Sequence, residues 1–109
     1  MNITQEQNAH HVILHLEGRF DFGARKVFKE KVEKASELKQ PVILDLSDVV
    51  FLDSSALGLL VISHQMLKSK TIALYLVNPQ TYVRQVLDLA NVAKIIPIYG
   101  NLGEVPTSN

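Results

Sequence analysis

Hydrophobic and polar positions along this chain switch repeatedly between a strand-like and a helix-like spacing, and the switches predict its elements. Residues 11–16 (His-Val-Ile-Leu-His-Leu) form a short aliphatic run that closes on Glu17-Gly18, a turn signal, and they predict a strand. Arg19 to Gly23 reads as a short loop. Ala24, Val27, Phe28, Val32, Ala35 and Leu38 then recur at helical spacing with Lys and Glu between them, which predicts an amphipathic helix laying one stripe on a sheet. Residues 41–46 are almost continuously apolar, as in a strand covered on both faces. Residues 47–53 connect that strand to a second helix over 54–68, and 71–77 form the next strand. Asn78 followed by Pro79 reads as a cap and a first-turn proline opening a third helix that ends near Ala90. Pro97 confines a last strand, 94–99, to a sheet edge, and 100–109 reads as a flexible C-terminal tail. The alternation predicts one α/β domain over 1–99, with a mixed sheet, three to four helices and parallel strands joined by helical crossovers.

Composition narrows the function more than the fold. At 109 residues the chain suits a single domain that folds without staples. Eleven Lys/Arg balance eleven Asp/Glu, and the charges alternate in sign across 25–39. A nucleic-acid binder carries a clustered basic footprint, so direct DNA or RNA binding is not expected. The absence of cysteine excludes disulfides and thiol chemistry. The opening residues lack the basic start and apolar run of a signal peptide, and the longest apolar stretch, 57–62, is far short of the roughly 20 residues that span a bilayer. A cytoplasmic protein with no membrane partner is expected.

The segment Phe51-Leu-Asp-Ser-Ser-Ala-Leu-Gly-Leu-Leu60 holds the candidate chemistry. Read plainly, Asp53 and Ser54 are helix caps, satisfying amides that a first turn leaves unpaired. At about 100° per residue, the buried stripe of this helix centres near Ser63 and takes in Ala56, Leu59, Leu60, Ile62, Met66 and Leu67. Ser54 falls on the opposite side with Gly58, Gln65 and Lys68, flanked by Leu57 and Val61. An exposed serine beside apolar residues and a glycine that admits another backbone describes a docking patch. Ser54 as an enzyme nucleophile would need an adjacent base. His64 lies ten positions on, about 15 Å along the axis, and His10, His11 and His15 sit at the first strand without the glycine-flanked serine elbow of hydrolases. No activity, metal or cofactor is therefore expected.

Asp53-Ser-Ser-Ala-Leu-Gly58 resembles the signature of STAS-domain anti-sigma-factor antagonists, Asp-Ser-Ser-Gly-Leu-Gly, with Ala56 in place of the first glycine. Gly18-Arg-Phe-Asp21 resembles the family's Gly-x-x-Asp turn, 45–52 its strand and loop before the serine motif, and Asn78-Pro79 with 83–89 its third helix. The resemblance spans about residues 1–99. It implies that Ser54, rather than Ser55, is phosphorylated, and the wheel agrees, turning Ser55 about 100° towards the buried stripe. It implies partner binding through the Ser54 face, and with the wheel's flanking residues that face comprises Asp21, Asp53, Ser54, Ser55, Leu57, Gly58 and Val61. The implied partners are an anti-sigma factor or equivalent regulator, a serine-protein kinase of the ATPase fold, and a PP2C-type phosphatase. Two alternatives remain. A receiver-like domain phosphorylated on Asp53 would need an acidic pair after the first strand, where Gly18-Arg19-Phe20 stands. A non-phosphorylated STAS accessory subunit of a transporter would not need the intact serine motif.

Overall fold

The computed structural model describes residues 1–107. Five strands form one mixed sheet in the order β1 (Asn2–Gln7), β2 (Val12–Phe20), β3 (Val42–Leu52), β4 (Leu74–Val77) and β5 (Ile98–Tyr99). The hairpin pair β1–β2 is antiparallel, and every later pair is parallel. Three helices make the crossovers and returns: α1 (Arg25–Ser36), α2 (Ser54–Ser69) and α3 (Thr81–Leu89). The expected α/β class, mixed sheet and helix count are all present.

Alternation along the central strands divides the interior. Val12, Leu14 and Leu16 of β2 and Val42, Leu44 and Leu46 of β3 join Phe28, Leu60, Leu67, Val83 and Leu87 of the helices in the main core. Ile13, Ile43 and Val77 point to the other face and pack with Val105, Tyr75 and Tyr99. Both faces are covered, which is why 41–46 reads as an unbroken apolar run.

Several boundaries differ from the sequence reading, each for a local reason. Strand β1 was not foreseen: of its six residues only Ile3 is buried, so it carries no alternation, and it is fixed by pairing Ile3 with Leu16 and Gln7 with Val12. Gly18 does not end β2 but sits within it at φ +104°, where the register with β3 slips. Positive φ serves a bulge as well as a turn, so Arg19 and Phe20 are strand and not loop. Strand β3 likewise runs on to Leu52, through what reads as a connection. Asn78 adopts the left-handed conformation, φ +57°, and Gln80, not Asn78, precedes the first turn of α3. Strand β4 begins at Leu74, after the left-handed Thr71, and β5 is only two residues long.

Part of the expected tail, up to Val105, packs on the domain; residues 108–109 lie outside the described ones. Residues Leu102–Glu104 form a 3₁₀ turn, Val105 is 5% exposed, and the buried His11 ring lies with Nε2 3.1 Å from the Pro106 carbonyl oxygen. His11 is thus an interior residue.

His15, on β2, bridges its two neighbouring strands. Nε2 is 2.9 Å from Glu6 Oε1 of β1, and Nδ1 is 2.8 Å from Asp45 Oδ2 of β3. Burial alone would lower the pKa of His15, but hydrogen bonds and charge from Glu6 and Asp45 outweigh it, and the net shift is upward from 6.5. A raised folded pKa stabilises the fold most below the unfolded value, and that contribution is lost as pH rises through the folded value. The His15 side chain is 39% exposed, so solvent screening limits the effect to about 0.5 kcal/mol. Urea titrations should find wild type ahead of His15→Gln by more at pH 6 than at pH 9; an equal gap at both would contradict the bridge.

Candidate functional site

The site forms where two parallel strands end side by side. Phe20 pairs with Leu52 at the ends of β2 and β3, and the Asp53 amide donates to the Phe20 carbonyl at 3.4 Å. Asp21 and Asp53 are the next residues on the two strands, so the pairing brings both motifs to one rim. Ligands of open α/β sheets bind at this edge, outside the carboxyl ends of the strands.

Asp53 caps α2. It is extended, and its Oδ1 accepts from the Ala56 amide at 3.0 Å. Its carboxylate is thereby held against the helix start, leaving Ser54 exposed and Ser55 half-buried in the first turn. Asp21 plays a different part. Its carbonyl accepts from the Ala24 amide at 3.0 Å, closing the 3₁₀ turn Phe22–Ala24, and its Oδ2 lies 3.4 Å from Arg19 Nε. Among the described residues no hydrogen bond joins Asp21 to Ser54 or Asp53; it shapes the rim through its turn.

The apolar flank of Ser54 is not where the wheel puts it. Ile62, expected in the buried stripe, is 53% exposed, whereas Leu57 is half-buried against the core and Val61 is half-buried. Helix α2 is apolar around most of its circumference, so the wheel leaves the stripe's centre poorly fixed, and packing turns it towards Leu57. The exposed side instead faces the α1 end of the domain. There Phe22, 60% exposed, Arg25, Ser54, Ser55, Gly58 and Ile62 surround a cavity of about 240 Å³. Phe22, Arg25 and Ile62 were missed as site residues. Phe22 is a lone apolar residue in a polar turn, and only the return of α1 along α2 sets it beside Ser54.

Gly58 faces open space: a Cβ built there meets nothing within 4 Å. The fold itself therefore does not require glycine at this position.

No histidine serves Ser54. His15 is held between Glu6 and Asp45, His11 lies against Pro106, and His10 stacks beside His11, their ring centroids 6.0 Å apart. These two precede β2 and so lie at the end of the sheet opposite Ser54. Among the described residues no three His, Asp or Glu side chains converge on a metal position, and no helix is long and apolar enough to cross a membrane.

Against known proteins, residues 2–105 match the model of the STAS domain. The chain belongs to the STAS family. It is 31% identical over 85 residues to a STAS-domain containing protein of Pseudomonas aeruginosa (78% of this chain, 84% of that protein). It is 30% identical over 107 residues to the anti-sigma F factor antagonist of Paenibacillus polymyxa (93% and 90%). The fold is also that of the Bacillus anti-sigma factor antagonist SpoIIAA, solved in unphosphorylated and phosphorylated forms. The TM-scores are 0.77 and 0.69 at 22% and 21% identity, over 94% of this chain and 91% and 95% of SpoIIAA. This STAS domain thus has anti-sigma factor antagonists among its homologues.

Proposed function

We propose that this STAS domain is a cytoplasmic anti-sigma-factor antagonist whose binding face is switched off by phosphorylation of Ser54. The observation that carries the reading is the exposed Ser54 at the capped start of α2, bordered by the exposed apolar side chains of Phe22 and Ile62. Unphosphorylated, the face binds an anti-sigma factor or an equivalent regulator and so frees that partner's client. A serine kinase of the ATPase fold transfers the γ-phosphoryl group of ATP to Ser54 Oγ, forming the O–P bond, releasing ADP and giving up the hydroxyl proton. A PP2C-type phosphatase hydrolyses the ester. SpoIIAA, which shares the fold, exists in a phosphorylated form, in keeping with a STAS domain that carries a phosphoryl group without unfolding.

The docking residues on this reading are Ser54, Gly58, Phe22 and Ile62, with Asp53 and Ser55 framing the serine, Asp21 shaping the rim, and Leu57 and Val61 supporting from the half-buried side. Mass spectrometry after kinase treatment tests the modified position: phosphate on Ser54 is expected, and phosphate confined to Ser55 or to a distant threonine would overturn the assignment.

Fold and binding should separate at two positions. Gly58→Ala is expected to raise stability by about 0.5–1 kcal/mol, since alanine is the better helix former and the site has room, yet to weaken partner binding. Ile62→Glu is expected to leave the melting temperature nearly unchanged and to cost binding about 2 kcal/mol or more, the scale of a buried interface anchor. Thermal melts beside calorimetric titrations check both; wild-type affinity in the two variants would move the docking face elsewhere.

A further inference from the structure

Among the described residues that line the Ser54 cavity, Arg25 alone is charged. The chain has three arginines. Arg19 lies 3.4 Å from an Asp21 carboxylate oxygen and over the Phe51 ring, and Arg84 lies 3.0 Å from Asp88. Arg25 has no carboxylate partner among the described residues. Its guanidinium rests over the exposed Phe22 ring, 4.1 Å from the centroid, with Nη1 donating to the Phe22 carbonyl at 3.5 Å, the outer limit of a hydrogen bond. Its position is also electrostatically unfavourable: Arg25 is the first residue of α1, and no acidic residue stands in that turn, whereas helix starts favour anions. An exposed arginine held by a ring face and one long hydrogen bond, beside the same cavity as an exposed serine, is available to an anion.

We propose that Arg25 is the intramolecular clamp for the phosphoryl group of Ser54. This rests on the reading that Ser54 is the modified residue, and it specifies how the modification acts. Phosphoserine presents three acceptor oxygens with nearly two negative charges, and guanidinium–phosphate hydrogen bonds are roughly twice as strong as neutral ones and often bidentate. A solvent-exposed cation–π contact is the weaker competitor. Capture swings the guanidinium off Phe22 and into the cavity. The cavity then holds an ion pair in place of apolar space, and Phe22 loses the side chain that covers one of its faces. Phosphorylation thus alters the α1 wall of the docking face as well as Ser54 itself.

Phosphoserine incorporated at position 54 by genetic encoding in the full chain tests the clamp without any kinase. Phosphorus NMR follows its second ionisation, near pH 6 in free phosphoserine. In wild type this should lie lower by about half a unit beyond the effect of the helix start. Arg25→Gln should remove that difference, Arg25→Lys should keep part of it, and Arg19→Gln should titrate as wild type. Arg25 is exposed, and amide spectra check that each variant is folded. An Arg25→Gln curve superimposing on wild type, or a shift produced by Arg19→Gln instead, would overturn the proposal. Partner affinity measured on the same samples keeps the two claims apart. A phosphate-dependent loss of affinity with no Arg25 effect on titration leaves the switch and removes the clamp. An Arg25-dependent titration with undiminished affinity leaves the clamp and removes the switch.

Discussion

Phe20→Ala is expected to destabilise the domain by about 3–5 kcal/mol, the cost of emptying a buried aromatic site. Phe20 is fully buried at the end of β2, its ring centroid 4.7 Å from that of the equally buried Phe28 on α1. Truncation removes this pair and leaves a void beneath the turn that carries Phe22 and Arg25. Against a total stability of about 5–15 kcal/mol this is a large fraction, and the melting temperature should fall by roughly 15–25 °C. Partner binding should weaken with it, because the void opens at the strand end where the Phe20 carbonyl and Asp53 amide join β2 to the start of α2. Denaturant titration is the measurement; a loss below 1 kcal/mol would mean that Phe28 and its neighbours close over the gap.

What was legible in the sequence follows the range over which each signal acts. The start of α2 was readable because an aspartate cap acts over three residues, and the Asp53–Ala56 bond is that cap. Helix α1 was readable because its charged residues leave one apolar stripe. By contrast, β1 is defined by a partner strand, and its Thr4, Gln5, Glu6 and Gln7 look like any polar terminus. Gly18 announced positive φ, which a bulge and a turn demand equally. The apolar run in 41–46 announced two covered faces without saying that Val105 of the C-terminal segment supplies part of one cover. At the site, the serine motif was local and legible. Its neighbours Phe22 and Ile62 were not, because they meet through the packing of α1 on α2 and share no sequence pattern.

Phosphorylation of Ser54 is expected to weaken partner binding at least 100-fold, about 2.8 kcal/mol at 1.4 kcal/mol per decade. The group adds about −1.5 to −2 charges at the edge of an apolar patch, and an interface that excludes water there must desolvate that charge or leave it unpaired. The fold should hardly respond. Ser54 is exposed, Asp53 rather than Ser54 makes the capping bond, and a helix start tolerates an anion. Ser54→Ala should bind as the unphosphorylated protein does, and Ser54→Glu should lose less affinity than phosphoserine because it adds a single charge.

The most direct measurement is a calorimetric titration of an anti-sigma partner into the full chain carrying either serine or phosphoserine at position 54, with thermal melts of both. A switch at Ser54 predicts tight binding by the first, binding weaker by 100-fold or more by the second, and closely similar melting temperatures. Equal affinities for the two forms, with both folded, would contradict it.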